Sequence, residues 1–215
     1  EDNVNALQHY LRTTAEQPEY RGEKLIDRPG RASDDITSTA LLNAVGALAS
    51  RTGPGEVGLF YYSGHGSRTS ISTKADAVFY SEIYDRLNAA LTRTNPPPAH
   101  KMVVVLEACH SGGFIDHLHS VGADQSKWIV VSAAATDQKA YQPTLSPFDL
   151  GFFTKALTDR LASGGSLHDA WSGLPGNLNS WSVKTQTSQF FGSNTSFTLR
   201  DPDGDAKHRQ FGPGP

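Results

Sequence analysis

Three short runs, Val57–Tyr62, Met102–Leu106 and Trp128–Val131, are apolar at almost every position, and they constrain the fold more than anything else in the chain. A strand with one face in water alternates apolar and polar residues, whereas a run that is apolar throughout belongs to a strand buried on both faces. Around these runs, apolar residues recur at helical spacing. Ile36–Ala49 carries Leu41, Leu42, Val45 and Leu48, with Thr37 or Ser38 as N-cap, and leaves through the turn-rich Arg51–Gly55. A Ser81 cap is expected to open a helix bearing Ile83, Leu87, Ala90 and Leu91. Phe152–Leu161 places Phe153, Ala156, Leu157 and Leu161 on one face, and Ser166 caps a short helix through Trp171. Val4, Leu7 and Leu11 mark an opening helix. Buried strands alternating with amphipathic helices specify an α/β fold: a mostly parallel sheet with helices on both faces and right-handed crossovers.

The remaining segments are less regular. Leu25-Ile26 is expected to form a brief strand and Ser196–Leu199 another, at a sheet edge. From Gly173 the chain becomes rich in Gly, Asn, Ser and Thr, and Asp201–Pro215 reads as a polar, mobile tail. A length of 215 residues suits one domain, 1–200, followed by that tail, 201–215.

Charge and composition exclude several classes of function. A net charge of −3 without a dense Lys/Arg block offers nucleic acid no electrostatic footprint. The apolar runs are strand-sized, far short of the roughly 20 residues a membrane-spanning helix needs. The sequence opens on polar Glu1-Asp2-Asn3 with no initiator Met and no visible signal peptide, like a mature, processed or trimmed product, so this opening does not fix localisation; the expectation leans toward a secreted or extracytoplasmic protein. Cys109 is the single cysteine, so neither an intrachain disulfide nor a multi-cysteine zinc site is available.

In a parallel sheet, active sites form beyond the carboxyl ends of the strands. Two candidates meet that condition. Phe60-Tyr61-Tyr62-Ser63-Gly64-His65-Gly66 places His65 just past one strand, and Leu106-Glu107-Ala108-Cys109-His110-Ser111-Gly112-Gly113 places Cys109 just past the next strong one. If those strands are neighbours, an imidazole and a thiol share one edge of the sheet, as thiol nucleophilic catalysis requires. Gly64 and Gly66 remove bulk around His65, letting a substrate backbone approach. The Gly66 and Cys109 amides would form an oxyanion hole. Gly112 and Gly113 are expected to permit a sharp departure from the nucleophile's loop, and His110 to be structural or at the rim.

These residues resemble the caspase-like superfamily of cysteine peptidases, which includes caspases, metacaspases, legumains and gingipains. Tyr61–Gly66 is similar to its histidine motif and Glu107–Phe114 to its nucleophile motif. Phe114-Ile115-Asp116 resembles bacterial and archaeal relatives of the legumains. The resemblance extends through Val130–Ala133, Asp137–Ala140 and the Phe152–Leu161 helix, covering Asp2 to Leu199. It implies a three-layer α/β/α sandwich and a His65/Cys109 dyad. It also implies a strand ahead of the first helix, and none is read in this sequence, which opens at that helix.

By the same resemblance, Glu107, Ser132, Ala133 and Asp137 would contact the residue before the scissile bond. Asp137 points to Arg or Lys there and Glu107 to Asn, so both specificities stay open. No cofactor is expected. Asp201, Asp203 and Asp205 resemble the opening of a calcium loop without its full spacing or terminal Glu. Asp116-His117-Leu118-His119 is read as a solvated loop rather than a metal site. Tyr61, Tyr62, Phe79 and Phe152 are expected in the core, and Trp171 and Trp181 in the core or the substrate cleft. The expected function is a cysteine endopeptidase acting on peptides or proteins. A transpeptidase or ligase of the same chemistry and a non-catalytic regulatory scaffold are the alternatives.

Overall fold

The computed structural model describes residues 2–11, 36–141, 151–176, 178 and 185–199. Its elements are α1 (Asp2–His9), α2 (Ser38–Arg51), β1 (Val57–Gly64), β2 (Ser70–Ser72), β3 (Ala77–Phe79), α3 (Tyr80–Thr92), β4 (Lys101–Ala108), α4 (Gly112–Ser120), β5 (Trp128–Ser132), α5 (Phe152–Ala162), α6 (Leu167–Ser172) and β6 (Gln189–Phe191). The main sheet runs β1-β4-β5-β6, and β2 and β3 form a separate hairpin. The β1–β4 and β4–β5 pairs are parallel, while β6 closes the edge antiparallel to β5.

The three apolar runs are the three parallel strands, and β4, in the centre, is buried at every residue. Its alternation assigns the two helical layers. Met102, Val104 and Leu106 share one core with Leu41, Val45, Ile83, Leu87, Phe114 and Leu118, from α2, α3 and α4. Val103 and Val105 share the other with Leu7, Phe153, Leu157, Leu161 and Ala170, from α1, α5 and α6. Burying each such side chain contributes about 1.5–3 kcal/mol, so a strand with two covered faces stabilises both layers at once.

Local signals set the starts of three helices, α2, α3 and α6. The Thr37 hydroxyl accepts from the Ala40 amide at 3.1 Å. Ser166 and Asp169 cap α6 reciprocally, at 2.9 and 3.1 Å. α3 departs from expectation, because it begins at Tyr80 and Ser81 lies inside it. Its cap is the Glu82 carboxylate, which accepts from the Phe79 amide at 2.9 Å. Phe79, expected in the core, is 51% exposed, because the β3 pleat turns only Val78 inward.

The edge strand is Gln189–Phe191, not Ser196–Leu199. Phe197 and Leu199 are buried in the α5 and α6 layer, which explains their alternation, but the Phe197 carbonyl accepts from the Leu167 amide of α6 rather than from a strand. Asp116–His119 lies within α4 rather than in a loop, where His117 packs on Tyr84 and His119 on Phe191. Among the described residues no strand precedes β1, and no cluster of His, Cys, Asp and Glu could hold a metal. Leu25-Ile26, Trp181 and the aspartates Asp201, Asp203 and Asp205 lie outside the described residues, as does the tail 201–215.

Candidate active site

β1 and β4 are adjacent and parallel, and their ladder ends with Gly64 opposite Ala108. His65 and Cys109 are therefore the next residues outward on neighbouring strands. The thiol is half-buried and the histidine exposed. Glycine brings the two loops together. A Cβ added to Gly66 would lie 2.7 Å from the Cys109 carbonyl oxygen and 3.0 Å from the Ala108 Cβ. One on Gly113 would lie 2.0 Å from the Arg68 carbonyl oxygen. Gly66 thus seats the histidine loop on the Cys109 loop, and Gly113 seats the start of α4 under the histidine loop. Neither Gly112 nor Gly113 takes a positive φ; the sharp turn falls on His110, at φ 59°.

The histidine loop is braced from below. Gly66 faces Ile71 across an antiparallel bridge whose hydrogen bonds come from its neighbours, Ser67 N–H to Ser70 O at 2.8 Å and Ser72 N–H to His65 O at 3.0 Å. That pairing leaves the Gly66 amide out. The Tyr62 hydroxyl shares its proton between His65 O, at 2.8 Å, and Ser72 O, at 2.6 Å. Gly64 gives the tyrosine room, since a Cβ there would meet the same hydroxyl at 2.5 Å. On the other strand, the Cys109 thiol donates to Ala140 O at 3.7 Å, a bond available only while the sulfur carries its proton.

The candidate substrate residues do not form one exposed surface. Ser132 and Ala133 are fully buried at the end of β5 and turn to opposite faces of the sheet. Asp137 is exposed in the following loop. Glu107 is 5% exposed and points toward α5. Its carboxylate accepts from the Thr154 amide at 3.4 Å and, at short range, from the Thr154 hydroxyl. It thereby caps α5, whose own N-cap is Gly151. A Cβ on Gly151 would fall 1.7 Å from Glu107 Oε1, so glycine makes room for the carboxylate. The Tyr61 hydroxyl lies 2.7 Å from that of Thr154. Beside them, Gly151 N–H donates to Asn3 Oδ1 and Asn3 Nδ2 donates to Ser63 Oγ, each at 2.8 Å. This knot joins α1, both motif-bearing strands and α5.

Burial pushes the Glu107 carboxyl up to about 7, outweighing hydrogen bonds from Thr154, Phe153 and Tyr61 that favour the charged form. Burial likewise raises the Tyr61 phenol, and the Glu107 charge adds to it. The folded state therefore holds the Glu107 proton more tightly than the unfolded chain. Its contribution to stability is complete below the unfolded value near 4.5 and is lost as pH rises to about 7. Denaturant titrations should show the wild type losing about 3 kcal/mol relative to Glu107→Gln as pH rises from about one unit below 4.5 to about one unit above 7, and no further difference beyond. Parallel curves for the two proteins would contradict this account.

Sequence reasoning missed Asn3, Thr154 and Gln186. Fully buried Gln186 donates to Ala133 O at 3.2 Å and accepts from the Tyr141 amide at 2.9 Å. These are polar residues of unremarkable types whose partners lie 45 to 148 positions away, and no local pattern announces them.

A three-layer α/β/α sandwich with a thiol and an imidazole at adjacent parallel strand ends defines a caspase-like protein. Residues 5–197 match the caspase domain family, and the chain belongs to that family, one of cysteine peptidases. Caspase-1 from Spodoptera frugiperda has a similar crystal structure, with 12% identity, a TM-score of 0.62, and coverage of 92% of this chain and 80% of that one. Protein GSU0716 from Geobacter sulfurreducens matches with 16% identity over 75% of each chain, at a TM-score of 0.49. No curated protein matches this chain. The family and fold imply protein substrates, and among the described residues no helix is long and apolar enough to cross a membrane.

Proposed function

We propose that this chain is a cysteine endopeptidase with Cys109 as nucleophile and His65 as its acid–base partner. The observation that carries the reading is the parallel β1–β4 ladder ending at Gly64 and Ala108, with Gly66 seated against the Cys109 carbonyl. His65 takes the proton of the Cys109 thiol, the thiolate attacks the scissile carbonyl carbon, and the oxyanion that forms is met by the Gly66 and Cys109 amides. His65 protonates the departing amine. Water, deprotonated by the same imidazole, then releases the acyl group and restores the thiol.

Of the two specificity carboxylates, Asp137 is exposed and Glu107 is engaged with Thr154. Asp137 is therefore the one available to an incoming Lys or Arg, through a charge-assisted hydrogen bond. A peptide-library cleavage profile, run beside labelling with a thiol-directed peptidyl electrophile, tests both parts. We expect labelling at Cys109, cleavage after basic residues, and a loss of about tenfold in kcat/KM on basic substrates for Asp137→Asn. Absence of both labelling and cleavage rejects the peptidase reading. A profile favouring Asn rejects the role given to Asp137.

A further inference from the structure

His110 follows the nucleophile, yet no step of the proposed chemistry uses it. Its backbone takes φ 59°, a left-handed conformation that a residue with a Cβ adopts only when its surroundings fix it. Those surroundings are a set of bonds to one loop. The His110 amide donates to Gln138 O at 2.7 Å, and its ring Nδ1, facing a carbonyl, carries the proton and donates to Thr136 O at 2.9 Å. Either side of it, Gly112 N–H donates to Ala134 O at 2.8 Å, and the Asp116 carboxylate accepts from the Thr136 hydroxyl at 2.5 Å. The loop so held carries Asp137.

We propose that His110 is a positioning residue, whose left-handed backbone and ring N–H together hold the 134–138 loop in register with Cys109, so that a peptide bound on that loop meets the thiol. The inference rests on the peptidase reading above. It assigns the imidazole a hydrogen-bonding part and no proton transfer to substrate. The chemistry also names the replacement that serves. Asn tolerates the left-handed backbone, and its Nδ2 sits on Cγ just as Nδ1 does in histidine, so it can donate to the same carbonyl. Gly keeps the backbone conformation and loses the donor. Ala loses the donor and strains the backbone.

The test compares His110→Asn, His110→Gly and His110→Ala in the full chain by three measurements: peptide kinetics, alkylation of Cys109 by iodoacetamide, and hydrogen exchange of the 134–138 backbone. We expect His110→Asn to stay within about threefold of the wild type in KM, and His110→Gly to raise KM roughly tenfold, the scale of one lost hydrogen bond, with kcat little changed. Exchange over 134–138 should accelerate in His110→Gly and more so in His110→Ala, and stay at the wild-type rate in His110→Asn. Alkylation should be equal in His110→Asn, His110→Gly and the wild type. The proposal is overturned if His110→Gly matches the wild type in KM or in exchange, or if His110→Asn fails as badly as His110→Gly. A fall in alkylation that parallels the change in KM also overturns it, because the role would then be general structure. If the wild type cleaves no peptide, the peptidase reading has failed on its own. The exchange comparison still decides whether His110 holds the loop.

Discussion

Cys109→Ala should abolish peptide cleavage and electrophile labelling together, while the protein keeps its wild-type melting behaviour. The thiol is half-buried at a strand end, and its hydrogen bond to Ala140 O is long at 3.7 Å, so deleting the sulfur removes little packing. The proposed chemistry, in contrast, loses its nucleophile, since Cys109 is the single cysteine of the chain. A loss of at least about a thousandfold in kcat is expected, with residual binding of substrate. His65→Ala should cost about 10²- to 10⁴-fold, the usual range for a general acid–base group. Its side chain is exposed, and its bonds to Tyr62 and Ser72 are made by backbone that alanine retains. The two losses should not add, because the residues serve one step. Full activity in Cys109→Ala would remove this residue from the mechanism, whatever the fold resembles.

How much of this was legible in the sequence depends on whether the cause was local. Both-face apolar strands identify themselves, because burial on two sides leaves no alternation, so Met102–Leu106 and Trp128–Val131 were found and their parallel pairing followed. A cap formed within three residues is legible too, as at Ser166. The Phe79–Glu82 cap was misplaced because a serine at the right distance competed for the assignment. Phe197 and Leu199 misled differently. Their alternation was real, but it reflected side chains entering the α5 and α6 layer and not a backbone in the sheet. At the site, His65 and Cys109 were legible as strand-end motifs. The Glu107 environment was not, since Asn3, Ser63, Tyr61, Gly151 and Thr154 meet only through the sandwich. The glycines were found for an incomplete reason: Gly66 and Gly113 are required by the neighbour each would strike, and the turn expected near Gly112 is made by His110.

Gly66→Ala should lower kcat by about 10²- to 10³-fold while leaving the protein folded. The added methyl would stand 2.7 Å from the Cys109 carbonyl oxygen, 3.0 Å from the Ala108 Cβ and 3.4 Å from the Ser70 carbonyl oxygen. Two of these are backbone atoms, which cannot swing aside as a side chain does. Relief must come from lifting the 65–67 segment off the end of β4 or from displacing the nucleophile's own peptide. Either movement shifts His65 relative to the thiol and takes the Gly66 amide from the oxyanion position that the proposed mechanism gives it. A misplacement near 1 Å costs about 100-fold, and loss of one oxyanion donor costs about 100- to 1,000-fold. Overpacking of this kind also costs about 1–3 kcal/mol of stability, a lowered melting point rather than unfolding. Gly176→Ala supplies the control, because nothing lies within 4 Å of its added Cβ. Peptide kinetics and thermal melts of the two variants separate the effects. Unchanged kcat in a folded Gly66→Ala protein would mean that the close seating of the two loops is packing alone. A large fall in kcat with KM nearly constant would show that the seating holds the reacting groups in place.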